Sequence, residues 1–146
     1  MPRILAVDWG ERRVGLAVSD PTGILASGLD TLEVRGPADA VAQVRDVVRE
    51  VEADSIVVGL PLLLSGERGT AALAAEAFAA QIADATGLPV ATYDERLTSS
   101  LASRRMQERG EKRRAKGRID QDAAIVLLES WLMKLEADRR RAGSEA

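Results

Sequence analysis

Apolar positions recur along the 146-residue chain in two rhythms, every second residue in some stretches and every third or fourth in others. Residues 3–8 (RILAVD) are a short apolar run ending on an acid and predict a buried strand. The WGERR connection carries Gly10, and Val14–Ser19 predicts a second strand, so the pair forms a hairpin. Residues 24–34 alternate loosely and predict a third strand after an Asp20-Pro21-Thr22-Gly23 turn. Pro37 then opens a helix with Val41, Val44, Val47, Val48 and Val51 at helical spacing.

The β-branched run Ser55–Gly59 predicts a fourth strand, followed by a Gly- and Ser-containing loop from Pro61 to Thr70. Ala71–Thr86, with Leu73, Phe78 and Ile82, predicts a second helix closed by Gly87 and Pro89. Val90–Asp94 predicts the fifth strand, and Thr98 is placed to cap a third helix ending near Arg109. Glycines and dense positive charge predict a mobile stretch over Gly110–Gly117. A last helix is expected from about Asp120 to Asp138, with a flexible tail over residues 139–146. The order βββαβαβαα predicts an α/β domain spanning residues 1–138, antiparallel strands first and parallel strands later.

Composition narrows the chemistry through two absences. The chain holds no Cys and no His. Thiol catalysis, disulfides, Ser-His-Asp triads, histidine general bases and the usual zinc ligand sets are therefore excluded. An enzyme of this composition works with carboxylates, Lys, Arg, Ser, Thr or the single Tyr93. Carboxylates are hard oxygen ligands suited to Mg²⁺ or Mn²⁺. Apolar residues make up 46% of the chain, enough for one sizeable core. No run approaches the roughly 20 apolar residues of a membrane span, and Met1 leads directly into a strand pattern, so a cytoplasmic protein is expected.

The net charge of −3 looks unfavourable for a nucleic-acid binder, but its distribution does not. Arg104, Arg105, Arg109, Lys112, Arg113, Arg114, Lys116 and Arg118 face only Glu108 and Glu111, giving this stretch +6 and leaving −9 for the rest. Such asymmetry fits a phosphate-bearing partner; a solvated helix end is the plainer alternative.

Three acids stand out by position. Asp8 ends the first strand before a Gly turn, and Glu95 follows the fifth strand. Open α/β sheets bind ligands beyond the carboxyl ends of their strands, which brings both acids to one crevice. The last helix offers Asp120 or Asp122. At 100° per residue Asp120 shares a face with Ala123, Ala124, Leu127 and Trp131, whereas Asp122 falls near Glu129 and Glu136 on the polar side. Asp120 is thus the expected third acid and Asp122 the fallback. Such a trio can hold two ions about 4 Å apart for an in-line phosphodiester displacement, with Asp8 as the bridge.

Each acid also fits an ordinary role: Asp8 as a turn former, Asp120 as a helix cap, Glu95 as a partner for Arg96. Weaker signals surround them. Arg12, Arg13, Arg96 and Thr98 are candidate phosphate contacts, as are Ser99 and Ser100, for which capping is the alternative. Gly59-Leu60-Pro61 is placed to line the crevice, Trp9 to stack on a base, and Trp131 to pack in the core.

The segments carrying these residues resemble a known family. AVDWGERRVGLAVSD resembles the opening motif of the YqgF/RuvX family, named for Holliday junction resolution within the ribonuclease H-like superfamily. VVGLP is similar to its second motif, YDERLTS to its third, and IDQDAAIVLLESWL after the basic stretch to its fourth. Two departures are Ser99, where the family carries Thr, and Asp122, where it carries a small or apolar residue.

The resemblance implies a five-stranded mixed sheet in order 3-2-1-4-5 with helices on both faces. It implies Asp8, Glu95 and Asp120 as the acidic constellation. It further implies a Mg²⁺- or Mn²⁺-dependent endonuclease acting on structured RNA, at the 5′ end of pre-16S rRNA, or on branched DNA at four-way junctions. Junction resolution implies paired cuts and a homodimer. Two other readings remain open: a non-catalytic nucleic-acid-binding or ribosome-assembly factor, and a nucleotide-dependent phosphotransferase, which needs a second such domain.

Overall fold

A computed structural model describes residues 3–23, 25–61, 65–97 and 116–145, with residues 97, 116–120, 144 and 145 described as backbone only. Strands β1 (Ile4–Asp8), β2 (Arg13–Ser19), β3 (Ala26–Glu33), β4 (Ser55–Leu60) and β5 (Val90–Asp94) form one sheet in the order β3-β2-β1-β4-β5. β1 pairs antiparallel with β2, and β2 with β3. β1–β4 and β4–β5 are parallel. The reason for the switch is connection length: short turns join the first three strands, while helical crossovers join the later ones.

The crossovers are α1 (Pro37–Val51) and α2 (Thr70–Thr86), and a third helix, α3 (Lys116–Glu145), completes the described elements. α1 begins after Gly36 with Pro37 in its first turn and buries Ala40, Val44 and Val48, the stripe its valine spacing predicts. α2 ends on Gly87, whose φ of 72° lets its N–H reach the Ala83 carbonyl at 2.9 Å. Leu73, counted with the apolar positions of this helix, is instead 56% exposed. It lies in the first turn, off the stripe of Ala72, Ala75, Phe78, Ala79 and Ile82 that the helix buries.

Period-two alternation divides the sheet between two cores. Leu5, Val7, Ile56 and Val58 join α1 and α2 on one face. Ile4, Ala6, Val57 and Tyr93 join Ala124, Ile125, Leu127 and Leu128 of α3 on the other. Helices therefore cover both faces, as expected.

The ends of α3 correct the sequence reading. The helix begins at Lys116 rather than Asp120, and it runs beyond Asp138 to Glu145. Its last turns are laced by Lys134–Asp138, Arg140–Glu136 and Arg141–Asp138 ion pairs at 2.8–3.2 Å, and residues 139–145 of the segment expected as a tail are helical. The helix expected over 98–109 and residues 110–115 of the mobile stretch expected over 110–117 lie outside the described residues, while residues 116 and 117 are helical. No helix among the described residues is long and apolar enough to cross a membrane.

Candidate active site

Asp8 closes β1 opposite Gly15 of β2 and shares, by alternation, the α3 face with Ile4 and Ala6. One strand away, Val58 pairs with Val7, so Gly59 is the next position beyond that pair on β4, level with Asp8. Gly59 follows Val57 by two residues and faces α3 as well. Two residues later on β5's side of the sheet, Glu95 begins a 3₁₀ turn, Glu95–Leu97, and folds its side chain back over Gly59. A Cβ on Gly59 would collide with Glu95 Oε1 and lie 3.2 Å from both Glu95 Cγ and Cδ. The missing side chain on β4 is the seat of the Glu95 carboxylate. Since neighbouring strands run about 4.8 Å apart, that seat adjoins the end of β1 that bears Asp8. Both acids are half-buried. In the sequence Gly59 is legible only as a lining residue; nothing local shows that its bareness accommodates a side chain from the turn after another strand.

The turn after Asp8 is equally tight. Gly10 stands where any Cβ would strike the Arg13 carbonyl oxygen, so the chain reverses at once and carries Arg12 to the Asp8 end of the sheet. Arg12 is exposed and Arg13 half-buried, and the Arg12 carbonyl accepts the Val34 N–H at 2.8 Å. Trp9, expected to stack on a base, stacks instead on Phe78 of α2, with ring centroids 4.7 Å apart and planes at 22°. It packs against the α1–α2 core because alternation sends residue 9 to the face opposite Asp8. Trp131 packs edge-on against Tyr93 at 5.5 Å, in the core as expected.

Arg96 pairs with Asp94. Its guanidinium forks onto Asp94, with Nη2–Oδ2 at 2.7 Å and Nε at 3.1 Å from both oxygens, while its backbone N–H donates to Oδ1 at 2.9 Å. This hydrogen-bonded arginine holds the Asp94 carboxyl below the usual carboxylate range, and Asp94 in turn raises Arg96 above its ordinary value.

α3 approaches the same face. Gln121 lies over Gly28 of β3, where a Cβ would meet its side chain, and donates Nε2 to the Leu29 carbonyl at 2.8 Å. Gly28 pairs with Ala17, which pairs with Ala6, so the first turns of α3 lie level with the residue two before Asp8. Position 120 is on this helical backbone, four residues before fully buried Ala124; its side chain is not among those described.

Asp122 departs from its assignment to the polar side: it is only 6% exposed. The cause is that α3 is covered nearly all round between residues 122 and 130, so a single-stripe helical wheel does not apply. Among the described residues no group of three or more acidic, His or Cys side chains is placed to hold a metal ion. Asp8, Glu95 and Asp122 are all described, so Asp122 does not complete a trio with the other two. Of the basic candidates, Lys116 and Arg118 lie on the backbone of α3. Thr98, Arg104, Arg105, Arg109, Lys112, Arg113 and Arg114 lie outside the described residues.

This arrangement can be set beside known proteins. The family profile described as RuvX: Holliday junction resolvase matches residues 2–134. The chain belongs to the RuvX family. A relative from Pelotomaculum thermopropionicum, named "Putative pre-16S rRNA nuclease", is 40% identical over 98% of this chain and 94% of its own length. One of the same name from Koribacter versatilis is 42% identical over 94% of this chain and 90% of its own.

Among solved structures, Thermus thermophilus RuvC in complex with a Holliday junction substrate superposes with a TM-score of 0.63 at 15% identity. That match covers 93% of this RuvX chain and 97% of the other. The fowlpox virus resolvase, solved with Holliday junction DNA, superposes at 0.54 and 14% identity, over 91% and 98% of the two chains. At such identities the likeness establishes the fold, which is ribonuclease H-like with the five-stranded mixed sheet.

Proposed function

We propose that this RuvX protein is a cytoplasmic metal-dependent endonuclease that hydrolyses phosphodiester bonds at the 5′ end of pre-16S rRNA. The observation that carries the reading is the seating of the Glu95 carboxylate over bare Gly59, beside the strand end that bears Asp8. Two carboxylates over adjacent strand ends bring oxygen donors from different strands to one side of the sheet, the kind of set that a divalent cation shares. Asp8 and Glu95 supply hard oxygen donors and fit Mg²⁺ or Mn²⁺; Asp120 is the proposed third ligand, supported by its spacing of four from Ala124. Bound there, a pair of such ions would lower the pKa of water and stabilise the leaving oxygen. The chain's own part is to hold Asp8 on the end of β1 and Glu95 in the turn after β5 while Arg12 and the basic stretch over 104–118 attract the polyanion. As water's oxygen bonds to phosphorus and gives up a proton, the bond from phosphorus to the leaving oxygen breaks and that oxygen takes up a proton, so the net change is addition of water across the bond.

The RNA substrate is favoured by the names of the curated relatives at about 40% identity. A second reading, cleavage of four-way DNA junctions by a homodimer, is favoured by the family's own description. One experiment addresses both. Purified protein is incubated with precursor rRNA and with a synthetic four-way junction, in Mn²⁺ and in excess chelator. Mn²⁺-dependent cleavage confined to the RNA is the expected result. Cleavage that survives chelation would refute the metal mechanism, and symmetric junction cuts without RNA cleavage would transfer the function to DNA.

A further inference from the structure

Arg96 lies between Asp94 and Gly66. Its guanidinium forks onto Asp94, the last residue of β5, and its backbone N–H bonds the same carboxylate. Its Nη1 and Nη2 also lie 3.6 and 3.8 Å from where a Cβ of Gly66 would stand, so the guanidinium occupies the space beside Gly66 in the segment after β4. Gly66 has φ of +88°, a conformation that favours glycine. Glu95 is the single residue between the two clamped positions. The Asp94 side chain is 14% exposed and that of Arg96 37%, so what holds the pair is the bidentate geometry of the fork rather than burial.

We propose that Asp94 and Arg96 form a latch that fixes the Glu95 carboxylate over Gly59 and seats the Gly66 segment beside it. Both are positioning residues, and Arg96 is not a phosphate contact. The inference rests on the reading of Glu95 as an acid of the active site.

The rival is that Arg96 binds substrate phosphate directly, and the two assignments separate in kinetics. A phosphate contact, once lost, raises KM, lowers the salt slope by about one and is largely restored by lysine. Removing Asp94 would then leave binding intact or tighten it. A latch behaves otherwise: Arg96→Gln, Arg96→Lys and Asp94→Asn should all lower kcat, by roughly 10- to 100-fold, with KM and salt slope unchanged. Lysine fails because it keeps the charge without the fork.

A second readout is independent of turnover. Amide hydrogen exchange over residues 65–69 and 95–97 should speed up by about tenfold in Asp94→Asn and Arg96→Gln, while β1 and α1 exchange as in the parent. Exchange unchanged over both segments, or rescue by lysine together with a KM effect, overturns the latch. Glu95→Gln keeps the two readings apart. If that variant turns over normally, the active-site assignment of Glu95 fails, while the exchange data still decide whether the latch exists. If it is inactive and Asp94→Asn matches the parent in kcat and exchange, the latch alone is refuted.

Discussion

Gly59→Ala offers a test in which stability and activity should move in opposite directions. Gly59 lies within β4 and is not among the glycines with positive φ, so alanine can adopt its backbone conformation. On backbone grounds alone such a replacement stabilises a fold by about 0.4–1 kcal/mol, because the unfolded chain loses freedom. In a domain of this size that is a rise of roughly 1–4 °C in Tm. The new methyl, however, would strike Glu95 Oε1 and sit 3.2 Å from Cγ and Cδ, inside the roughly 3.5–4.0 Å of a comfortable carbon contact. Oε1 is the end of a flexible side chain, so Glu95 yields before the sheet does. Its carboxylate then moves by on the order of 1 Å, a displacement worth about a hundredfold in rate, or about 2.7 kcal/mol of transition-state stabilisation. The assay pairs a thermal melt with single-turnover cleavage in saturating Mn²⁺. We expect Tm unchanged or raised and a cleavage rate about 100-fold lower. Parent-like cleavage at parent-like Tm would refute the claim that the gap at Gly59 seats a working carboxylate. A fall in Tm would show the glycine to be structural.

Asp8→Asn and Asp120→Asn should each abolish metal-dependent cleavage while leaving circular dichroism and Tm near the parent's; turnover in either variant contradicts its assignment. Neutralising both Arg113 and Arg114 should weaken binding to all nucleic acids and lower the slope of log affinity against log salt by about 2, measured by fluorescence anisotropy at several salt concentrations. An unchanged slope would leave the basic stretch as solvated surface. Gln121→Ala removes the hydrogen bond to the Leu29 carbonyl and should cost about 1–2 kcal/mol in urea unfolding. A cost near zero would mean that Gln121 does not anchor the start of α3 on β3.

The chain's own pattern located nearly every described element, because burial of a strand or helix face writes its period directly into neighbouring residues. β1 to β5, α1 and α2 appear within a residue or two of their predicted positions. The rule that open α/β sheets bind ligands beyond the carboxyl ends of their strands brought Asp8 and Glu95 to one end of the sheet, while the strand order came from the family resemblance. Composition supplied the absence of His and Cys, which no fold can alter.

What tertiary structure decided are relations between residues far apart in sequence. That Gly59 is empty so that Glu95 can occupy its place depends on the register of β4 against β5. Trp9 meets Phe78 because α2 crosses the face that residue 9 points to, some seventy positions along the chain. Asp122 is buried since α3 is covered on more than one side, which a helical wheel drawn for a single interface does not represent. Arg96 forks onto Asp94 because the 3₁₀ turn brings residues 94 and 96 together. Period is a local property of the chain, whereas each of these contacts is fixed by packing between elements, and packing exists only once the sheet has assembled.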